Sequence, residues 1–600
     1  MTSETGMTRA RWVLFPAVGV LLIGGATRLV YIETTQGEAL RGDAARQQTV
    51  TRTIPAQRGE ILDTRGRVLA GTVRRPSVFV DPALVDDTRF AACSIAPVLG
   101  LDPAGLQCLL DEHRQERFIW LKRRISDDEL ERFKQVVGAR RLRGFAVQYE
   151  PMRIYPQARL AAHVLGFVGC DAQGLGGIEQ VYDNVLRGTP GRRTATVDVG
   201  RRCVRSKVKE YAPARDGATV VLTIDVYTQQ IAQEALARAV EKHDAEWGTA
   251  VVVDPMSGEV LAMATVPDFD PAAAIPPGFG QMSPADRDAV KARWRNRAVT
   301  DSYEPGSIFK PFIASCALDE RVTQIDEIFR INGPTHRFGR RTIHDTHAYG
   351  SLALHEIISK SSNIGMGLVG AQCGNERLYR YVRMLGFGDI TGVELPGEHT
   401  GQVNDMSRWT SFSTQSVPIG QEIAVTPIQI VTAFSVFCNG GVLLRPRIVR
   451  GVIAANGETL VDRSRPVAVR RVLDEEMADV FRRRALVEVV QSGTGKQARI
   501  PGYQVFGKTG TAQIAQPDGR GYTPGAYVGS FVGGAPASRP RVVVLASIYR
   551  PRKQGYYGGV VAAPVVKEII AETLAYMQVP QELPAEGEVA STGARPRRAR

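Results

Sequence analysis

Three short stretches carry residue types that do chemistry together. YEPGSIFKPF holds Ser307 and Lys310, SKSSNIGM holds Ser361 and Asn363, and GYQVFGKTGT holds Lys508, Thr509, Gly510 and Thr511. A serine hydroxyl is a poor nucleophile at neutral pH and needs a base within hydrogen-bond reach. Ser307 and Lys310 stand at i and i+3, a spacing that puts both on one face of a helix, about 5–6 Å apart at Cβ. Pro305 and Gly306 mark the helix start, and Pro311 falls in the first turn, where amides have no helical acceptor to lose. At such a start the backbone N–H of Ser307 is available to a developing oxyanion. Lys310 must be neutral to act as a base, and partial burial beside Lys508 would lower its pKa. Ser361 is expected to relay a proton between Lys310 and a leaving amine, and Asn363 to donate to a substrate amide carbonyl. Lys508 to Thr511 reads as an edge strand. There Gly510 lets a substrate backbone come close, Thr509 and Thr511 offer hydroxyls to a terminal carboxylate, Lys508 adds positive charge, and the Thr511 N–H completes the oxyanion hole. S-x-x-K and S-x-N each recur by chance in a long chain; all three in order, at 307, 361 and 508, form the signature of a serine acylation site.

The third stretch also fits the phosphate-loop pattern G-x-x-x-x-G-K-[ST], through Gly502, Gly507, Lys508 and Thr509. A phosphate loop must follow an apolar strand and open a helix whose N-terminus faces the anion. Here the variable positions are Tyr503, Gln504, Val505 and Phe506, which are bulky and alternate like a strand, while Pro and Gly stand downstream where the helix should run. The residues therefore exclude a nucleotide site. SGTGKQ imitates the same pattern but lacks both the leading Gly and the final Ser or Thr. HEIIS, His355 to Ser359, begins like the zinc motif H-E-x-x-H but ends in Ser and reads as a surface helix. His344 and His347 in TIHDTHAYG read as loop or substrate-groove residues, not metal ligands.

These residues need a large scaffold, and 600 residues that are 44% hydrophobic and 23% charged supply one of several units. The net charge of +13, from 75 basic and 62 acidic residues, is scattered through RR and KRR clusters without aromatic interleaving, so it does not point to nucleic acid. Seven cysteines, at 93, 108, 170, 203, 316, 373 and 438, show no C-x-x-C pair; mostly buried free thiols are expected, with one or two disulfides left open. Arg9 and Arg11 precede WVLFPAVGVLLIGGAT, and the apolar stretch Trp12 to Ile32 matches one bilayer thickness, with Arg28 near one end able to snorkel. No A-x-A cleavage site follows, so an uncleaved anchor is expected rather than a signal peptide. The basic residues ahead of the span put residues 1–11 in the cytoplasm and everything after Glu33 outside it.

From Gly37 to about Pro213 strand-like pieces such as PSVFVDP alternate with helical ones such as DDELERFKQVV. A turn-rich break at YAPARDG is followed by the strand TVVLTID and the helical pattern VYTQQIAQEALARAVEKH. Early strands (GTAVVVDP, GEVLAMATV), central helices and late strands (YVGSFVGGAP, RVVVLASIYRP) form an α/β layer whose terminal strands are expected to share one sheet. Residues 578–600, rich in Pro, Gly, Ala and charge, read as a disordered tail.

With these residues in order, the chain resembles a class B penicillin-binding protein, a membrane-anchored peptidoglycan D,D-transpeptidase. RGEILDTRGRVLA (Arg58 to Ala70), RIYPQARLAAHVLGFVG (Arg153 to Gly169) and GLGGIEQVYDNVLRGTPG (Gly174 to Gly191) resemble the family's non-catalytic pedestal. VVVDPMSGEVLAMA, NRAVTDSYEPGSIFKPF, GFGDITGVELPGE, VTPIQI, GTGKQA, GKTGTAQ and YYGGVVAAPVVKEI resemble its transpeptidase domain in order. The resemblance implies a cytoplasmic tail at 1–11, an anchor at 12–32, a dimerisation-type pedestal at 33–214 and a transpeptidase domain at 215–577. The implied fold is α/β (α+β), of the penicillin-binding and serine β-lactamase kind, with a central antiparallel sheet flanked by helices. YEPGSIFK and HDTHAYG look closer to the division and sporulation branch than to the elongation branch, which stays the alternative, since SVPIGQE is less typical. By the same resemblance, Ser307 attacks the penultimate D-Ala carbonyl of a stem peptide, releases the terminal D-Ala and passes the acyl group to an amine, and β-lactams acylate the same serine. No metal and no organic cofactor is implied. The implied partners are the membrane, a membrane-embedded glycan polymerase and divisome proteins, with the catalytic part periplasmic and septal. A catalytically silent scaffold is the non-enzyme alternative, against which the intact motifs stand. A β-lactamase would need no pedestal.

Overall fold

The structure, a computed structural model, describes residues 4–36, 38, 49–197, 203–516 and 521–582. Of the tail expected at 578–600, residues 583–600 lie outside the described residues. The chain divides into two units, residues 1–57 with 188–216, and residues 58–187 with 217–600. In the first unit, helix Glu4–Thr35 contains the stretch Leu14–Thr35, 22 residues of mean hydropathy 1.7, long and apolar enough to cross a membrane. The unit also holds a three-stranded antiparallel sheet with Gly191–Val197 between Thr49–Ile54 and Cys203–Ala212.

In the second unit a mixed sheet of seven strands draws on both sides of residue 215. Its order is Thr459–Asp462, Val449–Ile453, Thr219–Leu222, Ile61–Leu62, Val68–Val80 and Ile119–Lys122, with Phe145–Ile154 also paired to Val68–Val80. Beside it the fully buried carboxylate of Glu179 takes Arg58 Nε at 2.7 Å and Arg153 Nε at 2.6 Å. A buried charge must be paired, and each of these three residues comes from a different one of the pedestal-like motifs.

The site rests on elements that follow in chain order: α1 (Val226–Lys242), β1 (Trp247–Val253), β2 (Val260–Val266), α2 (Lys310–Asp319), β3 (Ile328–Phe338), β4 (Arg341–Ala353), α3 (Leu354–Lys360), α4 (Asn363–Met384), α5 (Pro427–Phe434), β5 (Phe506–Ala515), β6 (Tyr522–Ala535), β7 (Val542–Tyr549) and α6 (Ala563–Tyr576). The strands β2-β1-β7-β6-β5 form one antiparallel sheet, so early and late strands do share a sheet and β5 is its outer strand. The period of two decides the packing. Ala250 and Val252 of β1 and Val544, Ala546 and Ile548 of β7 join Leu236 of α1 and Ile569 of α6 on one face. Val251, Val253, Val543 and Leu545 point the other way, into a core with Phe312 of α2, Val369 of α4 and Val431 of α5. Covered on both faces, these strands read as continuous apolar runs instead of alternating ones. The six cysteines with described side chains are free; Cys316, Cys373 and Cys438 are buried, whereas Cys93, Cys108 and Cys170 are exposed, which corrects the expectation of mostly buried thiols. Cys93 and Cys108 lie on short amphipathic helices, Thr88–Leu99 and Pro103–Glu112, on the sides turned from the core.

Candidate active site

Gly306–Phe309 is a single 3-10 turn that runs directly into α2. Ser307 therefore precedes the α-helix, and Lys310 is its first residue, with Pro311 next. Gly306 takes φ +57°, a left-handed conformation that glycine adopts without a Cβ penalty. Its N–H donates to Gly420 O at 3.1 Å, which ties the turn to the neighbouring segment. A Cβ on Gly306 would lie 3.2 Å from Thr511 O. In a strand the N–H and C=O of one residue face the same side, so Thr511, on the outer strand, turns both toward the Ser307 turn. Gly510, which lines the cleft, also has a packing role. A Cβ there would lie 2.8 Å from Ile308 Cγ1 and 3.2 Å from Pro305 O, so the missing side chain makes room for the Ser307 turn.

Beneath the turn lie two fully buried lysines. Lys310 Nζ donates to Asn363 Oδ1 at 2.8 Å and to Ser361 Oγ at 3.2 Å, and Lys508 Nζ donates to the same Ser361 Oγ at 2.9 Å. Ser361 caps the C-terminus of α3 at φ +61°, a costly conformation for a serine, and there its hydroxyl lies between the two lysines. The Ser307 hydroxyl makes no hydrogen bond among the described residues. Burial pushes Lys310 down to about 7 against the opposing pull of Asp345. Burial, reinforced by Lys310, pushes Lys508 well below the ordinary lysine range. Two ammonium groups close together in one dry site disfavour each other's charge, which works against the fixed positive charge expected on Lys508.

Asp345 holds the Ser361–Asn363 corner together. Its Oδ1 accepts from the N–H of Asn363 at 2.5 Å and of Ile364 at 3.1 Å, and its Oδ2 accepts from Ser362 Oγ at 2.5 Å. A carboxylate at the start of α4 satisfies orphan amides and meets the positive end of the helix dipole. In the sequence the histidines of HDTH stand out and the aspartate between them does not, because no local spacing links residue 345 to residue 363. His344 and His347 lie on β4, not on a loop; His344 contributes only its carbonyl, accepting from Asn363 Nδ2 at 3.0 Å, while His347 lines the cleft. His355 sits on α3, its Nδ1 at 2.7 Å from Glu488.

A cleft of about 960 Å³ opens over this floor, lined by Ser307, Ser361, Asn363, Thr509, Gly510 and Thr511, with Lys310 and Lys508 below its surface. Thr509 Oγ1 is 2.7 Å from Thr494 Oγ1, and Thr511 Oγ1 accepts from Gly558 N at 3.2 Å. Thr494 comes from SGTGKQ, so that segment contributes a hydroxyl to this cleft and not a phosphate loop. The same holds for GYQVFGKTGT: Phe506–Ala515 is strand throughout, so no helix opens at Lys508. Tyr527, Tyr556 and Tyr557 stack along one wall, with centroids 4.1 and 4.5 Å apart. The arrangement provides a serine on a tight turn, a buried lysine whose charge is disfavoured, a hydroxyl shared by two lysines, and an outer strand beside the turn. Replacing Asp345 by alanine is expected to lower the rate of serine acylation about 10- to 100-fold by loosening the Ser361–Asn363 corner; stopped-flow acylation by a chromogenic β-lactam would measure it, and an unchanged rate would show that the corner holds itself.

Residues 248–571 match the penicillin binding protein transpeptidase domain, and residues 53–222 match the penicillin-binding protein dimerisation domain. The chain is 33% identical over 584 residues to stage V sporulation protein D of Bacillus subtilis, covering 96% of this chain and 86% of that protein. It is 32% identical over 574 residues to the probable peptidoglycan D,D-transpeptidase PenA of Neisseria meningitidis, covering 95% and 93%. Its structure is similar to that of penicillin binding protein 3 of Mycobacterium tuberculosis in complex with ampicillin, with a TM-score of 0.67, 28% identity, and coverage of 89% and 98%.

Proposed function

The chain belongs to the class B penicillin-binding proteins, a family of peptidoglycan D,D-transpeptidases, and from that premise we propose that it cross-links stem peptides through an acyl-enzyme on Ser307 during septal wall synthesis. The observation that carries the serine mechanism is the hydrogen-bonded chain Lys310–Ser361–Lys508 lying directly beneath the Ser307 turn and the outer strand. In this reading the stem peptide lies antiparallel along β5, its terminal carboxylate near Thr509 and Thr511 and its penultimate carbonyl over Ser307. Lys310 takes the Ser307 proton, Oγ attacks the carbonyl, and the N–H groups of Ser307 and Thr511 hold the oxyanion. The proton passes through Ser361 to the departing D-Ala amine as the peptide C–N bond breaks. Asn363 is set to donate to the substrate amide once its Oδ1 holds Lys310. An amine of a neighbouring strand then attacks the ester, forms the cross-link and restores Ser307.

A β-lactam enters the same path but leaves no separate amine, so its acyl-enzyme persists; the ampicillin complex of the mycobacterial relative supports carrying this drug class over. The apolar helix supports a single-pass anchor in the cytoplasmic membrane, with the pedestal (33–214) and transpeptidase domain (215–577) on the periplasmic side. The similarity to a sporulation protein favours the division and sporulation branch. A membrane-embedded glycan polymerase and other divisome proteins are the partners this reading implies.

The test uses the full chain in detergent with a fluorescent penicillin. One slowly released label per chain is expected, together with release of D-alanine from a D-alanyl-D-alanine stem peptide. Rapid drug turnover would instead mark a β-lactamase, and no label at all a silent scaffold.

A further inference from the structure

Glu304 stands three residues before Ser307, lines the same cleft, and has no part in the acylation steps above. Its Oε2 accepts from the Tyr522 hydroxyl at 2.7 Å and its Oε1 from the N–H of Glu422 at 3.0 Å. Both donors are neutral, and Glu304 forms no ion pair among the described residues, although the chain carries an excess of 13 positive charges. The carboxylate beside it, Glu422, has partners of its own: Ser413 Oγ at 2.7 Å and the Arg341 guanidinium at 3.9 Å. Burial and the like charge of Glu422 push the Glu304 carboxyl above its ordinary range, against the two hydrogen bonds that lower it. A half-buried carboxylate fixed in place by two hydrogen bonds and left without a cation is an incomplete charge pair. Its partners, Tyr522 and Glu422, are not those of the Lys508–Thr511 segment, where the donor carboxylate is read. The transpeptidase reaction needs a further substrate whose nucleophile is a primary amine, protonated in water.

We infer that Glu304 receives the ammonium group of the acceptor strand, with Tyr522 and the Glu422 N–H orienting its carboxylate. This inference rests on the serine mechanism proposed above. The ammonium gives one proton to the Glu304 carboxylate and becomes a neutral amine. Its nitrogen attacks the acyl-enzyme carbonyl, forming the new C–N bond; the bond from that carbon to Ser307 Oγ breaks, and the second proton passes through Lys310 to Oγ. The Glu304 carboxyl then returns its proton to solvent.

The test loads the full chain with a D-alanyl thioester donor and divides the acyl-enzyme between water and an added amine. Two amines serve: Nα-acetyl-lysine amide, whose amine is an ammonium at neutral pH, and hydroxylamine, which is neutral there. Glu304→Gln preserves the shape of the side chain, and Tyr522 can reverse its hydrogen bond to it. The variant is expected to transfer about 10- to 100-fold less to the lysine amide relative to hydrolysis, the effect of losing a charged hydrogen bond. Penicillin acylation and transfer to hydroxylamine should stay within about threefold of the parent, a split that a merely structural role would not give. Unchanged transfer to the lysine amide overturns the inference. So does a parallel fall of penicillin acylation and both transfers, which would make Glu304 a support of the Ser307 turn. A parent chain that forms no acyl-enzyme defeats the serine mechanism itself and the inference with it.

Discussion

Ser307→Ala is expected to abolish covalent labelling by a fluorescent penicillin, with at least about a 10⁵-fold loss in acylation rate, the scale on which removal of a nucleophile acts. The geometry leaves no substitute. Ser361 is the other serine among the proposed catalytic residues, but its Oγ is held by Lys310 at 3.2 Å and Lys508 at 2.9 Å on a backbone fixed at φ +61°. Thr509 and Thr511 have their oxygens engaged with Thr494 and Gly558. Alanine fits the 3-10 turn at 307 without strain, because the left-handed residue is Gly306 and not Ser307. The variant should therefore fold and bind drug reversibly while forming no adduct. Equal labelling of parent and variant would place the nucleophile elsewhere.

Lys310→Ala is the second large effect, and it comes with a pH signature. Loss of a general base of this kind lowers rates by about 10²- to 10⁴-fold. Burial holds Lys310 at about 7 in the folded protein. The base form is the neutral one, so acylation by the parent should rise as pH increases through about 7 and level off above it. At lower pH the lysine keeps its proton and cannot take one from Ser307. In Lys310→Ala that rise should disappear, leaving a slow and flatter profile. The substitution also removes the like charge that helps to depress Lys508, so Lys508 should move back up toward the ordinary lysine range and serve less well as a replacement base. A Lys310→Ala variant with the parent's rate and the parent's rise would assign the base to another group.

What the sequence disclosed follows from what short-range spacing can encode. Ser307 to Lys310, Ser361 to Asn363 and Lys508 to Thr511 are local motifs, and their residue types state the chemistry before any fold is known. The strand character of Lys508–Thr511 was legible too, because bulky alternating residues precede it and Pro and Gly stand downstream where a helix should run. The sheet itself was readable from the apolar runs of β1 and β7, which differ from an exposed antiparallel sheet because both faces are covered. Four features were not legible. Asp345 serves residues 362–364 through the register of a hairpin, β3 with β4, that no motif announced. The packing of Gly510 against Ile308 was hidden, because a side-chain contact between strand and turn leaves no trace in spacing. Lys508 looked like a fixed charge, since burial, which disfavours that charge, is a property of the packed protein alone. Charge balance hides Glu304 in the same way: an unpaired carboxylate is visible only when its neighbours are.

The serine mechanism is tested most directly by locating the adduct. The full chain is reacted with penicillin, digested and mapped by mass spectrometry. A single added acyl group is expected on the peptide containing Ser307, formed faster as pH rises through about 7. An adduct on any other residue, or none on a folded chain, would contradict the mechanism.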